Sequence, residues 1–337
     1  MGNKRKDGEL KRFIKFFGAI VIVILLAACG DKSQQSVVKE VEKTWKNASY
    51  ELSATMEIKT GSEPRLYNVN VWHTKPDFYR VEIKENNKDD AQIIVKNKEG
   101  VFLVSTSSNK TYEFQSDWPK KNSQSYLIGT LAEDIAADNK AAMDTEEKQY
   151  IFEVATRNAQ RTGLPIQQIV VDKKTLLPSK VSILKEDLTE QIVISFNSID
   201  LKAKHKPEDY AISKLEPTQA STPTEAEPFK VYYPTLQLPN TSLADEKIVK
   251  DSGKERAVLS YDGDKSFTIV QQPSSYSDKM ITVSLQGDPE LIGSSIGAIN
   301  DQSITWDYNG MSFLLISNKL TTPELLQVAA SMQSGAK

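Results

Sequence analysis

The sequence holds one cysteine and two histidines among 337 residues. A single cysteine excludes an internal disulfide. With so few Cys and His, most zinc sites are excluded too, and a Cys–His catalytic pair is argued against. There is no Gly-rich phosphate loop, no His-Glu-x-x-His and no Gly-x-Ser-x-Gly elbow. Beyond residue 30 no apolar run approaches the roughly 18 residues of a membrane helix. The net charge of -3 is no electrostatic footprint for nucleic acid. What is present, 39% hydrophobic and 26% charged residues, fits a folded chain of about two domains.

The N-terminus is distinctive. Lys4, Arg5, Lys6, Lys11, Arg12 and Lys15 precede an apolar run from Phe16 to Ala28, broken only by Gly18. At about 1.5 Å per residue this run is too short to cross roughly 30 Å of hydrocarbon. A basic head, a short apolar stretch and small residues at its end predict an export signal over 1–28. Leu26-Ala27-Ala28-Cys29 resembles a bacterial lipobox, a resemblance that implies cleavage before Cys29 and acylation of its thiol. An uncleaved anchor over the same stretch is the alternative. Both put the remainder on the extracytoplasmic face of a membrane, with residues 29–33 as tether. Removal of 1–28 takes away six basic and two acidic residues and leaves 36 basic against 43 acidic, a net charge of -7.

Further on, periodicity changes with position. Val37, Val41 and Trp45, spaced by four, predict an amphipathic helix over 34–47. Leu52, Ala54, Met56 and Ile58 then alternate with polar residues, as in a half-buried strand. Further short strands follow at 66–73, 78–84, 91–95, 101–105 and 111–115. Leu127, Leu131 and Ile135 mark a second helix. Strands return around 150–154, 166–171, 179–184 and 191–196. Helix, about six strands, helix, about four strands predicts an extended antiparallel sheet with both helices on one face. Tyr210 and Ile212 can still belong to this sheet. Residues 216–228, rich in Pro, Thr, Ser, Ala and Glu, read as a linker or exposed loop. Past it, strands at 231–232, 257–261, 266–270, 280–285, 303–306 and 311–316 and a helix capped by Thr322 with Pro323 predict a second, small α+β domain over 229–334.

Trp45 on the first helix, the strand Tyr50 to Lys59, the segment Pro76-Asp77-Phe78-Tyr79-Arg80-Val81-Glu82 and Asn97-Lys98-Glu99-Gly100-Val101-Phe102 leading to Tyr112 resemble, in order and spacing, the LolA/LolB superfamily over about 34–215. Within it, the whole chain resembles the sporulation-linked, LolA-like lipoproteins of Gram-positive bacteria. Leu259-Ser260-Tyr261, Phe267-Thr268-Ile269 with Gln271, Trp306, and Glu324-Leu325-Leu326 to Ala329-Ala330 resemble a small domain of Gram-positive membrane and secreted proteins. The resemblance implies a mainly β, α+β fold: a curved antiparallel half-barrel with covering helices over residues 34–215. It implies a membrane-anchored protein that acts in sporulation or germination. It does not imply LolA's delivery task, because that carrier must be soluble and a Gram-positive cell has no outer membrane.

Chemistry-bearing residues are sparse. His73 reads as a partly exposed strand histidine, and His205 lies in the basic Lys204-His205-Lys206. Asp262, Asp264 and Asp288 sit in turns, where Asp is expected for backbone reasons. Asp262-Gly263-Asp264 is too short for a calcium loop. No cofactor, metal or catalytic residue is expected. The aromatic residues either fill the core or line a cavity for acyl chains or another apolar ligand. Met56, Trp72, Phe78, Leu103 and Phe114 are the candidate liners, and the resemblance implies Arg80 as a cavity gate. Two non-enzymatic readings follow: a lipid-anchored protein binding an apolar ligand or the acyl part of a lipoprotein, or an interaction scaffold at the cell or spore envelope.

Overall fold

The computed structural model describes residues 32–59, 64–86, 91–105, 110–119, 124–157, 163–215, 229–251, 254–274, 281–293 and 295–332. The expected signal, Cys29 and the expected linker 216–228 lie outside the described residues. Helix α1 (Gln34–Trp45) starts where Ser33 accepts the Ser36 N–H. Six strands follow: β1 (Tyr50–Ile58), β2 (Arg65–Thr74), β3 (Phe78–Glu85), β4 (Ala91–Lys96), β5 (Val101–Ser105) and β6 (Lys110–Gln115). Helix α2 (Ile128–Ala137) precedes β7 (Ala142–Thr145), β8 (Gln149–Ala155), β9 (Ile166–Asp172), β10 (Pro178–Leu184) and β11 (Glu190–Asp200). The C-terminal part holds β12 (Thr241–Asp251), β13 (Lys254–Gly263), β14 (Phe267–Pro273), β15 (Ile281–Gln286), β16 (Asp288–Ile292), β17 (Ser295–Ile299), β18 (Ser303–Tyr308), β19 (Met311–Ile316) and α3 (Thr322–Ser331).

Among the described residues the strands form two open sheets. The twelve-stranded sheet has the order β15-β6-β5-β4-β3-β2-β1-β11-β10-β9-β8-β7, and the seven-stranded sheet runs β12-β13-β14-β19-β18-β17-β16. The expected half-barrel is therefore corrected: neither sheet closes or curls strongly, and the first ends on two different edges, β15 and β7. Strong curling needs bulges and glycine kinks on successive strands. Strands β1 to β11 contain no glycine, and register shifts are confined to the β1/β11, β11/β10 and β10/β9 pairings, while β2 to β6 pair without one. A second correction concerns the strand expected at 280–285 in the C-terminal sheet. As β15 it runs parallel beside β6, pairing Val283 with Tyr112 and Leu285 with Phe114, in the first sheet.

The pleat sorts the core. Tyr50, Leu52, Ala54, Met56 and Ile58 of β1 are all buried on one face, which we call inner. Val37, Val41 and Trp45 of α1 and Leu131, Ala132 and Ile135 of α2 pack into the same cluster. The Trp45 indole N–H donates to the Leu176 carbonyl at 2.8 Å. Ile296 and Ala298 of β17 join that cluster too, so the C-terminal part helps cover the inner face. The opposite, outer face carries a smaller cluster of Phe78, Ile93, Val95 and Val104 under Tyr210. Tyr210 and Ile212 are not strand residues but lie in short 3-10 turns, Pro207–Tyr210 and Ile212–Lys214.

In the second sheet Leu259, Ile269, Phe313 and Leu315 pack beneath Leu325, Val328 and Ala329 of α3. The cap of α3 is Thr321 rather than Thr322, because the Glu324 carboxylate accepts both the Thr321 backbone N–H at 2.8 Å and its hydroxyl at 2.9 Å. The buried Gln271 side chain accepts the Tyr232 N–H at 2.7 Å and donates to its carbonyl at 2.9 Å, tying the entering chain to the sheet.

Two glycines give opposite expectations. A Cβ on Gly297 would lie 2.5 Å from the Thr305 carbonyl oxygen and 2.8 Å from the Trp306 Cβ, whereas one on Gly129 would meet nothing within 4 Å. Gly297→Ala is expected to lower stability by about 1–3 kcal/mol. Gly129→Ala, inside α2, is expected to raise it by about 0.5–1 kcal/mol. Urea unfolding midpoints of the two variants check both signs.

Candidate functional site

The strand pleat separates the residues expected to line one cavity. Met56, Leu103 and Phe114 are buried in the inner-face cluster. Trp72 and Phe78 lie on the outer face. There the Trp72 ring stacks on His205 with centroids 4.2 Å apart, and the Arg80 guanidinium sits 4.6 Å from the Trp72 ring. Arg80 also pairs with Glu82 at 2.6 Å. Register explains this: Trp72 stands opposite Arg80 across β2 and β3, and directly opposed residues share a face. Phe78 packs against Tyr210, centroids 5.5 Å apart.

One end of the inner face is polar. Tyr50 is opposite His73, His73 opposite Tyr79, and Tyr79 opposite Lys96, so a row crosses β1 to β4. The rings touch in sequence, with Tyr50–His73 centroids at 5.1 Å, His73–Tyr79 at 4.4 Å and Tyr79–Trp118 at 5.7 Å. Lys96 donates to the Trp118 carbonyl at 2.7 Å and pairs with Asp77 at 2.9 Å. The uncapped start of α2 closes this end, its Ile128 and Gly129 amides lying near the Tyr50 oxygen.

His73 is only 5% exposed, not the partly exposed residue expected from sequence. Its Nδ1 lies 2.8 Å from the Ala48 carbonyl oxygen. A carbonyl can only accept, so Nδ1 carries the proton and Nε2 of the neutral ring is an acceptor. Burial lowers the His73 pKa from its ordinary value. Burial also pushes the Tyr50 phenol well above its usual range, with Tyr79 adding to the effect. Among the described residues, Tyr50 Oη, His73 Nε2 and Trp118 Nε1 are buried without a hydrogen-bond partner. A buried polar group without a partner costs about 1–3 kcal/mol. Three at one end of an apolar face are therefore a chemical feature, able to accept through His73 and donate through Tyr50 and Trp118. Tyr50, Tyr79, Lys96 and Trp118 were missed in the sequence. Parity could have found Tyr50 and His73 once Trp72 was known to face outward.

At the far end the two sheets are joined by polar contacts. The Asp307 carboxylate accepts from Tyr112, from Lys110 at 3.3 Å, from Ser274 at 3.0 Å and from Ser312 at 2.6 Å. Gln92 accepts the Ile296 N–H at 2.6 Å, and Tyr67 donates to the Gly293 carbonyl at 3.2 Å. Lys110 lies 2.6 Å from the Ser274 hydroxyl.

Among the described residues no group of three or more His, Cys, Asp or Glu is placed to hold a metal ion, and no helix is long and apolar enough to cross a membrane. Two open sheets, an apolar face roofed by helices and a hairpin, and a polar row at its end define an α+β protein. The model of the family described as "Sporulation protein YdcC-like" matches residues 10–209. The chain is 37% identical over 329 residues to "Sporulation protein YdcC" of Bacillus subtilis (strain 168), covering 96% of this chain and 97% of that protein. It belongs to the YdcC-like family. Among solved structures, a crystal structure of MucB is 14% identical and covers 90% of this chain and 98% of its own, at a TM-score of 0.38. A LolA superfamily protein from Nitrosomonas europaea is 10% identical, covers 54% of this chain and 98% of its own, at a TM-score of 0.31. Likenesses this slight decide nothing about function.

His73 sets a pH expectation. Its folded pKa lies below the ordinary 6.5, so between the two values the unfolded chain binds more protons. Its contribution to stability is present at neutral pH and is lost as pH falls below 6.5, at up to about 1.4 kcal/mol per unit. His73→Gln is expected to flatten the stability slope between neutral pH and the carboxylate range, read from urea unfolding at a series of pH values.

Proposed function

We propose that this chain is a lipid-anchored extracytoplasmic protein that holds an apolar ligand with a polar head, a lipid or acyl chain, against the inner face of its first sheet. The observation that carries this reading is the set of unpartnered buried atoms on Tyr50, His73 and Trp118 at the end of that face. An apolar surface with a few convergent polar groups is the common form of a small-molecule site. A carboxylic acid, ester or hydroxyl head could accept from Tyr50 and Trp118, and a head with a proton could donate to His73. Met56, Leu103 and Phe114 would line the apolar part, while Trp72, Phe78 and Arg80 stay on the other face. In this reading residues 34–215 form the ligand-holding domain, 216–228 the linker and 229–334 the second domain. The name of the Bacillus subtilis relative supports a role in sporulation.

Native mass spectrometry of the protein released from its own membranes tests the ligand. A solvent-extractable added mass, reduced in Tyr50→Phe and in His73→Phe variants with unchanged circular dichroism, is the expected outcome. A bare protein that also fails to take up a fluorescent fatty acid would overturn the reading. The anchor is tested separately: Cys29→Ser is expected to abolish incorporation of labelled fatty acid and release the protein from the membrane fraction.

An interaction scaffold is the second reading, and the exposed edge strand β12 favours it.

A further inference from the structure

Among the described residues, strand β12 is one of the two edges of the second sheet and pairs with β13 alone. It is 11 residues long, and along it Leu243 is 40%, Ile248 52% and Val249 49% exposed. A long edge with apolar side chains is a template for strand addition. The register with β13 shifts between Leu243 and Asp245 and then runs evenly from Asp245–Ser260 to Asp251–Lys254. The regular stretch 245–251 therefore has Ile248 at its midpoint. Strand β14 pairs with β13 only as far as Ala257, the residue opposite Ile248. The half of the ribbon beyond Ile248 thus projects past β14.

The charge pattern of this stretch complements itself. Two copies meeting edge to edge are related by a two-fold axis normal to the sheet, so opposed residues share a face. With the axis at Ile248, Ile248 meets Ile248 of the second copy. Glu246 then meets Lys250, and Lys250 meets Glu246. Lys247 meets Val249 on the other face. Within one copy Lys250 pairs with Glu255 at 2.5 Å, but its side chain is 74% exposed, so that bond is weak and exchangeable. Lysines on an edge strand also serve to repel pairing. In this frame Lys250 meets the acidic Glu246 and Lys247 meets the apolar Val249, so neither lysine meets a like charge.

We propose that β12 pairs antiparallel with β12 of a second copy about Ile248, giving one continuous sheet across a dimer. The full-length chain in its own membranes tests this by oxidative crosslinking. Wild type, with Cys29 as its single cysteine, is the blank. Opposed residues hold their Cβ atoms about 4.5–5.5 Å apart, near disulfide reach. Ile248→Cys is expected to give about tenfold more disulfide-linked dimer than Leu188→Cys, an exposed site on another strand connection that reports random collision. Lys250→Cys alone should stay at the collision level, since two copies of residue 250 would be displaced by four residues, about 14 Å along the strand. In the Ile248→Cys background, Lys250→Glu should lower the crosslink and Glu246→Lys added to it should restore it. An Ile248→Cys yield equal to that of Leu188→Cys, or a yield indifferent to the charge reversals, would overturn the proposal.

Discussion

The joint between the two sheets is the contact on which the rest of the architecture depends. Strand β15 leaves the C-terminal sheet and lies parallel to β6, and β16 and β17 return at once to the second sheet. Backbone hydrogen bonds from one half of the chain therefore complete an edge of the other. An edge strand left bare is a liability, and β15 covers the one that β6 would present. The same excursion lays Ile296 and Ala298 over the inner face of the first sheet. Asp307 then becomes the meeting point of Lys110 and Tyr112 from one sheet with Ser274 and Ser312 from the other. A carboxylate with this many donors is well compensated for its partial burial.

With the joint in place, the inner face has two different ends. Near β6 it is covered by the hairpin. Near the start of β1 it is closed by α2 and the row Tyr50, His73, Tyr79 and Lys96. Every member of the row is brought in by cross-strand register, not by neighbours in sequence. The unpartnered atoms there would be costly in a purely structural core. The outer face has a different logic. The chain after β11 folds back over it, and His205 and Tyr210 cover Trp72 and Phe78.

Much of this was legible residue by residue. The spacing of Val37, Val41 and Trp45 and the alternation from Leu52 to Ile58 each name an element and its buried side. Other elements were not. Strand β12 carries charges on both faces, so it has no period to detect. Strand β17, Ser295–Ile299, is buried throughout and shows no alternation. Strand β7 is four residues long, too short for a pattern to emerge. Met56, Leu103 and Phe114 could be named as apolar strand residues, but so could Trp72 and Phe78, and hydrophobicity alone cannot say which face a residue joins.

Sparse chemistry, a lipobox-like N-terminus, the helix and strand periods and the place of the polar stretch before the second half can all be read along the chain. These are local properties, carried by residues within a few positions of one another. Tertiary structure alone decided that the sheets stay open, that β15 changes sheet, that His73 is buried and that Arg80 faces away from Met56. Those facts depend on which strands pair and in what register. A shift of one residue in a register moves every side chain of a strand to the other face, and no local pattern contains that information.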